Sequence, residues 1–447
     1  MNGALPLVKA AIRMRQCAVS AYGDISTASR PEVDLLCHCA RTQGGKQHAK
    51  QIKSLAKKDI EWSYVLRMAL AHRVMPLVYR TLSFTCPDAV PKTILEQFRT
   101  HFYANAGRNL FLTKELIKLL HLLESHEVPA IAYKGPTFAV SIYGNLALRQ
   151  FGDLDILVQE RDYDRAQHLL TSQGFRLTIE HEWESELTDE SGTVAVDLHK
   201  RITTREFSCP LSFKYLSRRL QPTRLAGTVV PGLCPEDTLL MLSIQLTKDR
   251  HPQLAKICDV AEFLRVHGRL NWVKALKQAK ILGGERIVLF GLCLTSNLLG
   301  VALPPEVARE LRFHSSVHDL VTHASHQVFH PGDEAPPGQL TAQQFRWLLR
   351  ERLRDKIYPY YLRYVHSVIV PCEPDRRLLP LPGRLSFLYY FIRPVRLIGK
   401  HGLLQIRRAM RRPRNHDLYG QDKKTPVMPV GSETKGLTAK SIRNNSS

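Results

Sequence analysis

Two aspartates one residue apart, Asp153 and Asp155, sit in the run Asp153-Leu154-Asp155-Ile156-Leu157-Val158. The apolar residues of this run mark a β-strand. Alternate side chains of a strand project from one face, so both carboxylates share a side. Carboxylates that close repel each other unless a cation sits between them. Hard oxygen donors suit Mg²⁺, with Mn²⁺ as an alternative, and Mg²⁺ serves phosphate chemistry. The residue types therefore point to metal-dependent phosphoryl or nucleotidyl transfer.

A third carboxylate would come from a neighbouring strand, as ligand or general base. Asp197 fits, because in Thr193–His199 the residues Val194, Val196 and Leu198 face one way while Asp197 and His199 face the other. His199 could then orient a ligand, bind phosphate or satisfy a neighbour, and the sequence leaves these open. Lys134 and Gly135 precede Pro136, which suits the first position of a helix running to about Tyr143. The glycine permits close approach, the helix dipole favours anions and the lysine adds charge. Arg149 is placed to clamp a phosphate or to pair with an aspartate. Each element alone is common in ordinary surfaces; their order along the chain joins them into one hypothesis.

The elements that must position these groups follow from periodicity. Residues 30–125 read as helical, and Asn109–Glu124 carries an apolar stripe of Leu112, Leu116, Leu119, Leu120 and Leu123. The texture then becomes α/β. Strands are expected at Val128–Tyr133, Asp153–Val158, Phe175–Ile179, Trp183–Thr188 and Thr193–His199, with Asp162 capping a helix that Gly174 ends. Beyond Pro235 the chain returns to helix, at Leu239–Leu246, Leu254–His267 and Trp272–Leu282. The expected organisation is a flexible terminus (1–30), a helical segment (31–108), an α/β core (109–230), a helical domain (231–410) and a disordered basic tail (411–447).

The 447 residues carry a net charge of +22, which favours an anionic partner. From His401 to Ser447 there are ten Lys/Arg against three Asp/Glu, so part of the excess is a solvated tail. No apolar run is long enough to span a bilayer, and no signal peptide is evident, so a cytoplasmic location is expected. The aromatic stretch Leu385–Leu397, with Arg393 and Arg396, would allow peripheral contact with an anionic membrane, but Pro394 interrupts any helix there and packing against the helical domain is the favoured reading. Nine scattered cysteines, with only Cys37-His38-Cys39 clustered, fit thiols rather than a structural zinc site. His314, His318, His323, His326 and His330 read as a polar helix face.

At Tyr133-Lys134-Gly135, Tyr143-Gly144, Leu148-Arg149, Gly152–Val158 and Val196-Asp197-Leu198-His199 the chain resembles the uncharacterised nucleotidyltransferases of the DNA polymerase beta-like superfamily. The resemblance extends to Asp59–Leu82, to Leu254–Pro305 with Asp259, and to Leu378–Leu397. It implies an α+β fold, with a small mixed β-sheet core flanked by helices, an N-terminal helical segment and a C-terminal helical domain. It implies Mg²⁺ and an NTP, with ATP the expected one, and nucleotidyl transfer. Asp153, Asp155 and Asp197 would be the carboxylate triad, and Lys134, Gly135 and Arg149 would hold phosphates. The chain departs from the superfamily in having Lys134-Gly135 where Gly-Ser is usual, Gln245 where relatives often carry histidine, and Lys200 where they often carry tryptophan. The acceptor (protein, RNA or small molecule) is not named by the resemblance. The competing class is an inactive binding protein of the same fold, linked to cell-envelope polysaccharide or nucleic acid. A toxin that modifies RNA is a third class.

Overall fold

The computed structural model describes residues 30–203, 209, 211–248, 252–329, 340–360, 367–371 and 383–395. The expected flexible terminus (apart from Arg30), the basic tail, His330 and part of Leu378–Leu397 lie outside these residues.

Five helices lead: α1 (Pro31–Cys39), α2 (Lys46–Ala56), α3 (Trp62–Ala71), α4 (Met75–Thr85) and α5 (Lys92–Ser125). Pro31 occupies the first helical position of α1, and Glu32 and Asp34 complement the dipole in its first turn. The helix expected at Asn109–Glu124 is the C-terminal half of the 34-residue α5. Nothing between Lys92 and Asn109 breaks it: there is no proline, and a Cβ at Gly107 would meet nothing within 4 Å. The mostly polar surface of the N-terminal half hid this continuity.

The core follows as β1 (Ala130–Ala132), α6 (Pro136–Ser141), β2 (Asp153–Val158), α7 (Tyr163–Ser172), β3 (Arg176–Glu180), β4 (Glu184–Thr188) and β5 (Ala195–His199). Asp162 precedes α7 but makes no side-chain cap, contrary to expectation. Its carboxylate lies 3.4 Å from Arg161 instead. The five strands form one sheet in the order β1-β2-β5-β4-β3. Only β2 and β5 pair in parallel; the other three pairings are antiparallel. This is a small mixed sheet, and the fold is α+β.

Next come α8 (Phe213–Leu216) and the hairpin β6 (Gln221–Leu225) and β7 (Thr228–Gly232), which periodicity alone does not reveal. Pro222 and Pro231 face each other across it, and their missing N–H groups mask the strand signal. The turn at Ala226-Gly227 has positive φ at both residues, as a tight hairpin turn needs.

Helices α9 (Pro235–Lys248), α10 (Leu254–Val266), α11 (Trp272–Leu282), α12 (Glu285–Leu299), α13 (Pro305–Leu311), α14 (Ser315–Phe329), α15 (Ala342–Leu349) and α16 (Leu353–Tyr360) complete the main elements. His314 lies just before α14 rather than on it. Among the described residues, no helix is long and apolar enough to cross a membrane.

The sheet has two unlike faces. Leu154, Ile156, Val158, Val196, Leu198 and Leu187 share one cluster with the leucine stripe of α5 and with Tyr163, Ala166 and Leu170 of α7. Burying each such leucine stabilises the fold by roughly 1.5–3 kcal/mol. On the other face, Ile131, Tyr133 and Leu157 join the cluster that includes α9–α12. The carboxylates of β2 and β5 lie on this second face, at the seam between sheet and helices.

One polar interlock crosses that seam. Arg149, just before β2, holds Asp259 of α10 with two edges: Nε donates to Oδ1 at 3.0 Å and Nη2 to Oδ2 at 3.0 Å. The Tyr143 hydroxyl donates to Oδ1 at 2.7 Å. Burial opposes the Arg149 charge, but Asp259 outweighs it and raises the Arg149 pKa. Arg149→Met is therefore expected to destabilise the protein by about 3–5 kcal/mol, the usual cost of stranding a buried charge. Urea unfolding measures it; a loss below about 1 kcal/mol would show that the interlock carries little.

Candidate functional site

Parallel pairing sets Asp155 opposite Asp197 and Asp153 opposite Ala195. Partners across a ladder project to the same side, so the three aspartates and His199 share the seam face. Asp155 is 5%, Asp197 8% and His199 2% exposed, so each charge there needs a partner in place of water. Asp155, Asp197 and His199 each offer one ligand atom, and these atoms lie within 4.8 Å of one another. Asp153 is half-buried at the start of β2 and does not join that convergent set.

Two protein groups, Lys134 and His199, meet the Asp155 carboxylate. Its Oδ1 receives both the Lys134 ammonium and, at 3.1 Å, His199 Nε2. The other ring nitrogen, Nδ1, is 3.0 Å from Glu184 Oε2. Glu184 stands opposite His199 in the β4–β5 ladder, which is how it reaches the ring. Burial alone would lower the His199 pKa, but the hydrogen bond with Asp155 and the nearby Glu184 carboxylate raise it. Burial alone would raise Asp155; the Lys134 charge and His199 hold it well below the usual carboxylate range. Glu184 is held at about 2, its burial outweighed by His199. Lys134 is raised, its own burial outweighed by Asp155.

Gly135 makes the Lys134 contact possible. It has φ +51°, and a Cβ there would lie 3.3 Å from the Asp153 carbonyl oxygen. The turn thus presses against β2, and Lys134 reaches along the strand to Asp155. Helix α6 stops at Ser141, two residues short of the expected end, and has only six residues. Its dipole is correspondingly small, so the lysine is the main cationic group of this turn. Arg149 is committed to Asp259, 110 residues away in sequence, and its guanidinium serves the interlock.

Several groups at the site were not singled out from sequence. Glu184 and Glu186 alternate with buried Ser185 and Leu187 along β4, the same polar-against-apolar signal that marks Asp197. Tyr133 is fully buried, sits edge-on to the His199 ring at 5.4 Å, and its hydroxyl has no hydrogen-bond partner among the described residues. Lys248 ends α9, and its pKa is lowered to about 8, first by burial and then by the Lys134 charge. Nothing short of tertiary structure would link Lys248 to β2.

The donor set fits a divalent cation. Two converging buried carboxylates offer the hard oxygens that Mg²⁺ or Mn²⁺ takes, and an imidazole is compatible with the softer Mn²⁺. The two cations on Asp155 occupy the electrostatic place that a metal would take. A second group, His181, Glu184 and Glu186, lies further along the same sheet face.

A family model described as "uncharacterised nucleotidyltransferase" matches residues 58–300. Among solved structures, the chain is similar to the lincosamide antibiotic adenylyltransferase LnuA with lincomycin bound. Identity is 18%, the match covers 34% of this chain and 96% of that one, and the TM-score is 0.26. It is also similar to an antigenic nucleotidyltransferase-like protein from Paracoccidioides brasiliensis, at 14% identity over 36% of this chain and 76% of that one, with a TM-score of 0.25. No curated protein matches the sequence.

The ion cluster makes stability depend on pH in a defined direction. The raised His199 contributes stability that is full below its ordinary value of 6.5 and is lost as pH rises through its folded value. The depressed Glu184 contributes stability that is present above 4.5 and is lost as pH falls towards about 2, and Asp155 acts in the same sense below 3.8. In metal-free buffer the cluster is thus most stabilising from about pH 5 to 6.5. Unfolding free energies from urea titrations between pH 6 and 9 are expected to fall less for His199→Gln than for wild type, by about 1.4 kcal/mol for each unit of the raised pKa. Equal slopes would show that His199 is not held charged.

Proposed function

We propose that this chain, which belongs to the uncharacterised nucleotidyltransferase family, moves a nucleotidyl group from an NTP to an acceptor hydroxyl in a Mg²⁺-dependent reaction. ATP is the expected donor, and the acceptor is a protein, an RNA or a small molecule. The observation that carries the reading is the facing of Asp155 and Asp197 on adjacent parallel strands, buried, on one side, with ligand atoms within 4.8 Å of each other and of His199.

Asp155 and Asp197 would hold the metal, with Asp153 at the open end of the strand completing the carboxylate set. The metal would screen the phosphate charges and lower the pKa of a bound hydroxyl. The remaining work falls to the chain. Lys134, held on the Gly135 turn beside Asp155, would turn its ammonium to the phosphates. His199, wedged between Asp155 and Glu184, fixes the Asp155 rotamer. Asp197 accepts the proton of the acceptor hydroxyl. The hydroxyl oxygen then bonds to the α-phosphorus, the α–β bridging bond breaks, and pyrophosphate leaves with the bridging electrons. Arg149 acts as a positioning residue, anchoring the segment that leads into β2.

The Lys134–Asp155 pair also suits the alternative, a binding protein that keeps the fold without catalysis, because it closes the site on itself. One experiment separates the two. Labelled NTP is offered with Mg²⁺ or with EDTA, and binding and transfer to cellular protein, RNA and small-molecule fractions are measured. Metal-dependent binding and transfer are expected for wild type. Asp155→Asn and Asp197→Asn are expected to lose about 100-fold or more, since even the outer partners of metal ligands are worth about 10–100-fold. Metal-dependent binding that survives in both variants would sink the assignment; binding without any transfer would favour the non-catalytic alternative.

A further inference from the structure

The Cys37-His38-Cys39 run lacks the spacing of a structural zinc site, but the fold gives His38 a companion that spacing does not show. His38 lies in the last turn of α1 and His48 in the first turn of α2. Their Nδ1 atoms are 3.4 Å apart, and both rings are half-buried. His48 Nε2 is 2.7 Å from the His38 carbonyl oxygen. A carbonyl oxygen only accepts, so the His48 proton sits on Nε2, and the neutral ring keeps a lone pair on Nδ1. An N–H held by a backbone carbonyl is a common way of orienting a metal-binding histidine.

The separation of the two Nδ1 atoms is long for a hydrogen bond, which centres near about 2.9–3.0 Å. It matches two nitrogens on one tetrahedral zinc, which at about 2.0–2.1 Å from the ion stand about 3.4 Å apart. The ring centroids are 4.9 Å apart and the rings are tilted by 48°. Rings aiming their Nδ1 atoms straight at each other would hold their centroids farther apart. At least one lone pair is therefore turned off the line between them, as both are when two imidazoles share an ion. Gly44 seats the His48 ring, since a Cβ there would lie 2.6 Å from His48 Cδ2. Burial lowers the pKa of both rings, and for His38 the charge of His48 lowers it further. Both rings are thus neutral at pH 7, the form that binds metal.

We propose that His38 and His48 form a two-histidine site for a transition-metal ion, Zn²⁺ above all, bound through both Nδ1 atoms at the α1–α2 corner. Imidazole suits Zn²⁺, Cu²⁺ or Ni²⁺ and not the hard Mg²⁺. The ion replaces the proton shared by the two Nδ1 atoms, and that proton passes through solvent to His38 Nε2. Among the described residues no third His, Cys, Asp or Glu converges with the pair, so the other positions of the ion fall to water or to an outside ligand. The segment between the two helices is bonded to the helical domain. Arg41 Nη2 donates to the Leu299 carbonyl at 2.9 Å, and the Thr42 N–H donates to Glu262 Oε1 at 2.8 Å. An ion that fixes α1 to α2 therefore also firms the seat of that segment on α10 and α12.

The test uses chelator-treated full-length protein, calorimetric titration with ZnCl₂ in excess MgCl₂, and thermal unfolding with and without Zn²⁺. Wild type and Asp155→Asn are both expected to bind one Zn²⁺ that His38→Ala and His48→Ala lose. Gly44→Ala keeps both ligands and is expected to weaken that Zn²⁺ by about 10- to 100-fold, the range for groups that orient a metal ligand. Zn²⁺ is expected to raise the melting temperature of wild type and not that of His48→Ala. Zinc binding unchanged in both histidine variants overturns the site and leaves a hydrogen-bonded pair, even where those variants melt lower. Zinc lost in Asp155→Asn but kept in both histidine variants places the ion at the seam and overturns the proposal equally.

Discussion

A carboxylate stripped of water must be given a cation, and Asp155 is almost wholly stripped of water. Much of the geometry around the seam answers that requirement. Gly135 adopts its left-handed conformation so that Lys134 can reach Asp155. His199 stands on the neighbouring strand, where the parallel register brings its ring to the same oxygen. Glu184 then supports the ring from the far side. The result is a row of alternating charges laid across β2, β5 and β4. Each charge in the row has an opposite charge beside it.

The row exists because the sheet separates its faces by a period of two. Leu154 and Ile156 of β2 and Val196 and Leu198 of β5, which alternate with the acids and His199, all go to the side packed on α5 and α7. A slip of one residue in the β2–β5 register would send the acids into that leucine layer and the leucines into the seam. The hydrophobic core therefore fixes the register, and the register fixes which carboxylates meet. Chemistry and packing are specified by the same alternation.

That alternation is also why part of the molecule could be read from sequence. Asp153–Val158 is found as a strand with its expected bounds, and Trp272–Leu282 likewise as a helix, because period and punctuation are local. Strand parity placed Asp197 on the polar side of its own strand; only the β2–β5 pairing sets it opposite Asp155. What was not legible depended on contacts between distant segments. Arg149 could have clamped phosphate or paired with an aspartate; only the docking of α10 decides for Asp259. Glu184 lay in an expected strand, but nothing local joins it to His199. The β6–β7 hairpin was hidden by its two prolines, which weaken the strand signal at positions where an edge hairpin tolerates them.

The seam itself is held by unequal contacts. Arg149 and Tyr143 tie the sheet core to α10 through a carboxylate that has all its partners. Lys248 ties α9 to the end of β5 through a single neutral carbonyl. The first contact joins opposite charges through three hydrogen bonds; the second joins an ammonium to one carbonyl. The seam is therefore held chiefly by the buried carboxylate of Asp259, with its three hydrogen bonds from Arg149 and Tyr143, and only secondarily by the end of α9.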